Sequence, residues 1–170
     1  MAAVVEKFPD KGAEFAARFG ARYYGSLPEL IKAGGVDALV VGTPNALHAP
    51  QAIAALKAGL PVMVEKPMAM NALEARRMLE ASGRSGAALM VAHCWRFDED
   101  VLWLKKQVPR LGTVLRTKGY GVHVQWGPSG WFTQKALAGG GAMADMGIHA
   151  LDTARFLLGD PQPASVYAQI

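Results

Sequence analysis

The 170-residue sequence predicts an α/β protein: an incomplete doubly wound parallel sheet followed by the start of an α+β domain. Three observations carry this expectation. Short, mostly apolar runs recur at residues 37–41, 61–64 and 88–92. Segments of helical period separate them, as parallel strands require for their crossovers. Beyond residue 105 the texture changes to longer polar and Gly-, Trp- and Pro-rich stretches. Runs without polar alternation are expected of strands covered on both faces.

The elements follow in order. Residues 2–5 form a short strand end closed by Glu6, and residues 11–19 a helix with Phe15, Ala16 and Phe19 at helical spacing and Gly20 as its stop. After a short segment at 22–24, Ser26 caps a brief helix with Pro28 early in it and Glu29 three residues on. The buried strand 37–41 breaks at Thr43-Pro44-Asn45, and residues 46–58 form a helix with Ala49, Ile53 and Leu56 on one face and Gly59 at its end. Strand 61–64 stops at Glu65-Lys66-Pro67. Asn71 and Glu74 then make a capping box for a helix carrying Leu73, Met78 and Leu79, which leads to strand 88–92. A second domain is expected from about residues 105 to 112. It holds a longer, partly exposed strand at 114–122, a loop at 125–141, a helix at 142–158 stopped by Gly159, and a strand beginning at 164–170.

Composition excludes several classes of function. The 18 Lys and Arg against 14 Asp and Glu leave a charge of +4, and no stretch gathers that excess into a basic stripe, so no nucleic-acid partner is expected. The single cysteine, Cys94, allows neither an internal disulfide nor a multi-cysteine metal site, which fits a reducing compartment; it is expected to be a buried, inert thiol. No apolar run approaches the ~18 residues of a membrane span, and Glu6, Lys7, Pro9 and Asp10 interrupt the N-terminus too early for a secretion signal. The expectation is a cytoplasmic protein with no membrane partner.

Three polar clusters directly follow expected strands: Thr43-Pro44-Asn45 with His48, Glu65-Lys66-Pro67, and His93 with Arg96. Ligands of open α/β sheets bind beyond the carboxyl ends of the strands, so the clusters converge on one crevice. Pro67 disfavours the helical region for Lys66 and holds it extended, which restricts how the ammonium is aimed. The plain alternative is a solvated turn lysine. In the helix at 142–158, Asp145, His149 and Asp152 share one face while Met146, Ala150, Ala154 and Leu157 occupy another. That stripe is either half of a reacting group or a structural His–Asp pair sealing the helix to a loop. His48, His93 and His123 repeat no recognised ligand spacing, so no metal is expected. Cys94 adjoins His93, and neighbours on an extended segment point apart, which argues against a Cys–His nucleophile pair. Trp126, Trp131 and Phe132 flank Gly127-Pro128-Ser129-Gly130 as a packed loop, a lid or an oligomer contact.

In their order, the stretches DALVVGTPNALHAPQAIAALKAGLPVMVEKPMA, LMVAHCWRFD and GGGAMADMGIHALDTARFLLGD resemble the Gfo/Idh/MocA family of NAD(P)-dependent oxidoreductases, which includes glucose-fructose oxidoreductase and inositol dehydrogenase. The resemblance runs from about Lys11 to the end of the chain. It implies a Rossmann-like, partial dinucleotide-binding domain over residues 1–104 and a partial α+β substrate and oligomerisation domain over 105–170. It also implies hydride transfer between a nicotinamide cofactor, NAD or NADP, and a hydroxyl or carbonyl carbon of a sugar, inositol or related polyol. Lys66, Asp145 and His149 would be catalytic, with His149 as the base, Lys66 polarising the same oxygen and Asp145 holding Lys66 or a substrate hydroxyl. Thr43, Pro44, Asn45 and His48 would line the cofactor cleft, Glu65 and Lys66 would face the nicotinamide, and Arg96 would lie near cofactor or substrate. Glu6 would take the adenosine ribose and favour NAD, with Lys7 beside it as a contrary sign. The complete enzyme would be a homo-oligomer.

One feature of the family is missing. No G-x-G-x-x-G occurs in the 170 residues, although that loop brings backbone amides and a helix N-terminus to the pyrophosphate. A ribose acid follows the motif by about 20 residues, so Glu6 in that role places the first strand and glycine loop upstream of this stretch. The strand expected at 164–170 would stand at a sheet edge, an association hazard. Two readings follow: an oxidoreductase truncated here at both ends, or a non-catalytic remnant that acts, if at all, through a partner.

Overall fold

The computed structural model describes residues 1–119 and 129–167 and divides into two compact units, Met1–Val91 and Ala92–Ile170. The first alternates strand and helix: β1 (Ala3–Val5), α1 (Pro9–Arg18), β2 (Arg22–Tyr24), α2 (Leu27–Ala33), β3 (Leu39–Val41), α3 (His48–Lys57), β4 (Val62–Val64), α4 (Ala72–Ser85) and β5 (Leu89–Val91). Every pairing is parallel, β1 with β2 and β3 with β4 with β5. In the doubly wound order 3-2-1-4-5-6, one strand separates the 3-2 set from the 4-5-6 set. The two sheets, β1-β2 and β3-β4-β5, correspond to those sets.

The core of this unit lies between the three-stranded sheet and the helices α3 and α4. Val41, Val62 and Val64 pack with Ala49, Ala52, Ala55 and Leu56 of α3 and with Met78 and Ala81 of α4. The alanine face of α3 lets its backbone approach α4 closely, and each fully buried Val, Leu or Met contributes about 1.5–3 kcal/mol. Asn71 caps α4 as expected, its side chain accepting from the Glu74 amide, and Gly86 closes the helix in the left-handed region. The expectation that the strands are covered on both faces is corrected. Val40 is 66% exposed, and Met63 and Met90 are exposed beside it, because consecutive strand residues face opposite sides and only one side meets α3 and α4.

The second unit, in its described residues, is helical: α5 (Glu99–Gln107), α6 (Lys135–Ala138), a π-helical segment (Met143–Gly147) and α7 (Ile148–Leu157), with 3-10 turns at Cys94–Phe97, Val108–Leu111 and Gly130–Thr133. Helix α5 is absent from the sequence expectation although Asp98 announces it, its carboxylate accepting from the amides of Asp100 and Val101. The strand expected at 114–122 forms no ladder in its described part, 114–119, and 120–122 lie outside the described residues. The strand expected at 164–170 likewise shows none at 164–167, and 168–170 lie outside. Trp126, Gly127 and Pro128 of the aromatic loop and His123 also lie outside, while Trp131 and Phe132 stack with ring centroids 3.9 Å apart. Cys94 is exposed, correcting the expected buried thiol: it opens a 3-10 turn on the surface instead of extending β5.

Candidate active site

In the first unit the expected site residues follow the carboxyl ends of β1, β3 and β4. Glu6 continues the ladder beyond β1, its amide donating to the Tyr24 carbonyl at 3.2 Å, and its carboxylate accepts from the Phe8 amide at 3.0 Å. The Tyr23 hydroxyl donates to the Glu6 carbonyl at 2.9 Å. This arrangement needs Gly12, because a Cβ there would run into the Tyr23 ring. After β3, Thr43 donates its hydroxyl to Gln51 at 2.9 Å, Pro44 precedes a 3-10 turn at Asn45–Leu47, and Asn45 is buried. After β4, the Glu65 amide still bonds the Val41 carbonyl at 2.9 Å, the Lys66 amide donates to the Glu65 carboxylate at 3.1 Å, and the Lys66–Pro67 peptide is cis.

His48, the first residue of α3, lies inside this crest and not on its surface, being 1% exposed. Its Nδ1 stands 2.8 Å from the Pro67 carbonyl oxygen and its Nε2 2.8 Å from that of Thr43. The loops after β3 and β4 are thus joined by one ring.

In the second unit the polar face of the last helix is its buried face. His149 is 7% exposed and Asp152 8%, while Met146, Ala150, Ala154 and Leu157 are only half-buried and Leu151 is exposed. The inversion has a cause in the pairing. Arg96 grips Asp152 through Nε (2.8 Å) and Nη2 (2.7 Å), and the same Nη2 reaches Asp160 at 2.8 Å with Nη1 at 3.3 Å. Bidentate guanidinium–carboxylate bonds offset the cost of bringing such groups inside. Asp160, exposed and with φ at 57°, has its carboxyl held below the usual range by the Arg96 hydrogen bonds, and the Arg96 guanidinium is held above its own. His93 Nε2 stands 3.6 Å from Asp152; burial pushes its pKa down, against the pull of Asp152 and with the repulsion of Arg96. Trp95 stacks on the His149 ring at 5.2 Å with 21° between planes.

Asp145 falls within the π-helical segment. It stands four residues before His149, which lies in the first turn of α7. The structure therefore brings Thr43, Pro44, Asn45, His48, Glu65 and Lys66 together at neighbouring strand ends, and Asp145 and His149 together on one helix. Arg96 is bonded within its own unit to two carboxylates. The stack of Trp95 on His149 and the role of Asp160 have no motif in the sequence: a lone Trp and an Asp beyond Gly159 could sit in any turn. Among the described residues no group of three His, Cys, Asp or Glu side chains is arranged to hold a metal ion, and no helix is long and apolar enough to cross a membrane.

Comparison with known proteins bears on the family and the fold. Residues 1–93 match the model of the NAD-binding Rossmann fold of the GFO/IDH/MocA oxidoreductase family, and residues 107–170 match that family's C-terminal domain. Levoglucosan dehydrogenase of Pseudarthrobacter phenanthrenivorans is 34% identical over 92% of this chain and 42% of its own length. The scyllo-inositol 2-dehydrogenase (NADP(+)) of Bacillus subtilis is 31% identical over 95% of this chain and 52% of its own. The crystal structure of a protein of gentamicin A biosynthesis in complex with NAD superposes with a TM-score of 0.84 at 32% identity, covering 95% of this chain and 47% of that one. The chain thus spans about half the length of the relatives it matches. With a parallel, doubly wound first unit and both family domains matched in order, the chain belongs to the Gfo/Idh/MocA family of oxidoreductases.

Proposed function

We propose that the protein containing this chain interconverts a hydroxyl and a carbonyl on a sugar, inositol or related polyol, with Lys66, Asp145 and His149 as the reacting group and a nicotinamide cofactor as partner. The observation that carries the reading is the buried, indole-stacked His149, since a base is effective when its ring is held in one orientation away from bulk water. The donor set of the first unit fits the cofactor. A carboxylate after β1 suits the ribose hydroxyls, the turn after β3 offers a hydroxyl and a buried amide, and an ammonium follows β4 beside Glu65. The nicotinamide, when bound, supplies hydride acceptance and return.

His149 takes the substrate hydroxyl proton on a ring nitrogen. Lys66 is assigned the polarisation of the reacting oxygen, and Asp145 the orientation of a substrate hydroxyl. Glu6 favours NAD, because its carboxylate repels a 2′-phosphate; the relatives named for NAD and for NADP leave both in the family. The cyclic polyols in two relatives' names support the same substrate class here. No observation favours a non-catalytic remnant. In the intact gene product, Lys66→Ala and His149→Ala should each lower turnover by about 10²-fold or more, read from nicotinamide absorbance, with the melting transition retained. Near-normal turnover in both variants would refute the assignment.

A further inference from the structure

We infer that His48 is a positioning residue for Lys66: it ties the loop after β3 to the loop after β4 so that the turn carrying Thr43, Pro44 and Asn45 and the reacting lysine are set by one side chain. The inference rests on Lys66 having the role proposed above, and it replaces the expectation that His48 lines the cofactor cleft. A ring 1% exposed offers no surface to a ligand.

The backbone shows why such a tie is needed. The ladder between β3 and β4 ends with the bond from the Glu65 amide to the Val41 carbonyl. Beyond it both loops contain proline, Pro44 and Pro67, which has no amide hydrogen to extend the ladder. The carbonyls of Thr43 and Pro67 each lie 2.8 Å from a nitrogen of the same imidazole. Carbonyl oxygens only accept and a neutral imidazole carries one N–H, so the ring donates to one of the two carbonyls according to its tautomer and packs against the other, reaching both from the rigid first turn of α3, whose Ala49, Ala52 and Leu56 are locked in the core. Displacing the ring therefore releases the residue directly after Lys66. Side chains that hold a reacting group in place act through geometry, and small misplacement costs rate.

The test uses the 170-residue chain without cofactor. His48→Phe keeps the ring volume and removes the ring's N–H donor; His48→Gln keeps an amide N–H donor. In His48→Phe the carbonyl carbon resonances of Thr43 and Pro67 and the amide resonance of Lys66 should move together, and in His48→Gln they should return part of the way. A folded His48→Phe in which the Lys66 amide does not move overturns the inference. Should His48→Phe fail to fold, the wild-type chain decides: a His48 ring N–H protected from exchange with water is required, and rapid exchange of that hydrogen overturns the inference. In the intact gene product, His48→Phe should lower kcat roughly tenfold when Lys66 is present and have little further effect in Lys66→Ala, the non-additivity of residues acting as one unit. Equal losses in both backgrounds overturn it. If Lys66→Ala itself turns over normally, the catalytic reading fails, while the resonances still decide the coupling.

Discussion

Arg96 shows how a residue can be legible in type and unreadable in use. A strand-end arginine in this family pattern is expected to meet cofactor or substrate, yet its Nε, Nη1 and Nη2 are all bonded to Asp152 and Asp160, whose positions in the sequence are far from its own. Neither partner can be assigned from spacing, because the pairing is made by the fold. The same cluster sets a dependence on pH. His93 has a folded pKa below its ordinary 6.5, so the unfolded chain binds the proton first; the stability tied to His93 is full above pH 6.5 and declines as pH falls toward the folded value. Asp160 acts in a lower window: its depressed pKa contributes stability above the ordinary 3.8 that is lost as pH falls through the folded value. The thermal midpoint should therefore decrease on acidification from pH 6.5, and His93→Asn should make that decrease shallower. An unchanged slope in the variant would remove His93 from the account.

At the scale of elements, periodicity found the helices and strands of the first unit because each must bury one stripe or alternate across a sheet. In the first unit Gly20 and Gly59 mark helix ends, but nothing in the sequence marks Gly12. Gly12 lies within α1, where glycine ordinarily costs a helix about 0.5–1 kcal/mol against alanine. Here a methyl would strike the Tyr23 ring and dislodge the hydroxyl that bonds the Glu6 carbonyl. Overpacking costs roughly 1–3 kcal/mol, so Gly12→Ala should destabilise the protein by about 1 kcal/mol in denaturant unfolding, and a gain in stability would contradict the packing argument. The π-helical turn at Met143–Gly147 was equally hidden, since Asp145 and His149 have the same sequence spacing on either kind of helix.

For the whole molecule the parallel order, the two family domains and the nicotinamide-binding fold agree, while the proposed preference for NAD rests on Glu6. Binding to the native state alone stabilises it by RT ln(1 + [L]/Kd), about 2.7 kcal/mol at a hundredfold excess over Kd. NADH should raise the melting temperature of the intact gene product more than NADPH does at equal concentration. Glu6→Ala should narrow that gap roughly tenfold in the ratio of Kd values, about 1.4 kcal/mol of removed like-charge repulsion. A ratio that does not move with Glu6 would take the ribose away from this carboxylate.

From the sequence alone came the doubly wound class, the order of strands and helices up to residue 92, the strand-end clusters and the pairing of Asp145 with His149 on one helix. All of these are periodic or local, and local backbone preference and apolar spacing determine them. The tertiary structure decided which polar groups face inward: His48 between two carbonyls, Asp152 under Arg96, His149 against Trp95. A polar side chain has the same local signature whether it binds a ligand or braces a loop. The groups that satisfy its hydrogen bonds are brought against it only by folding, so its surroundings have no local signature.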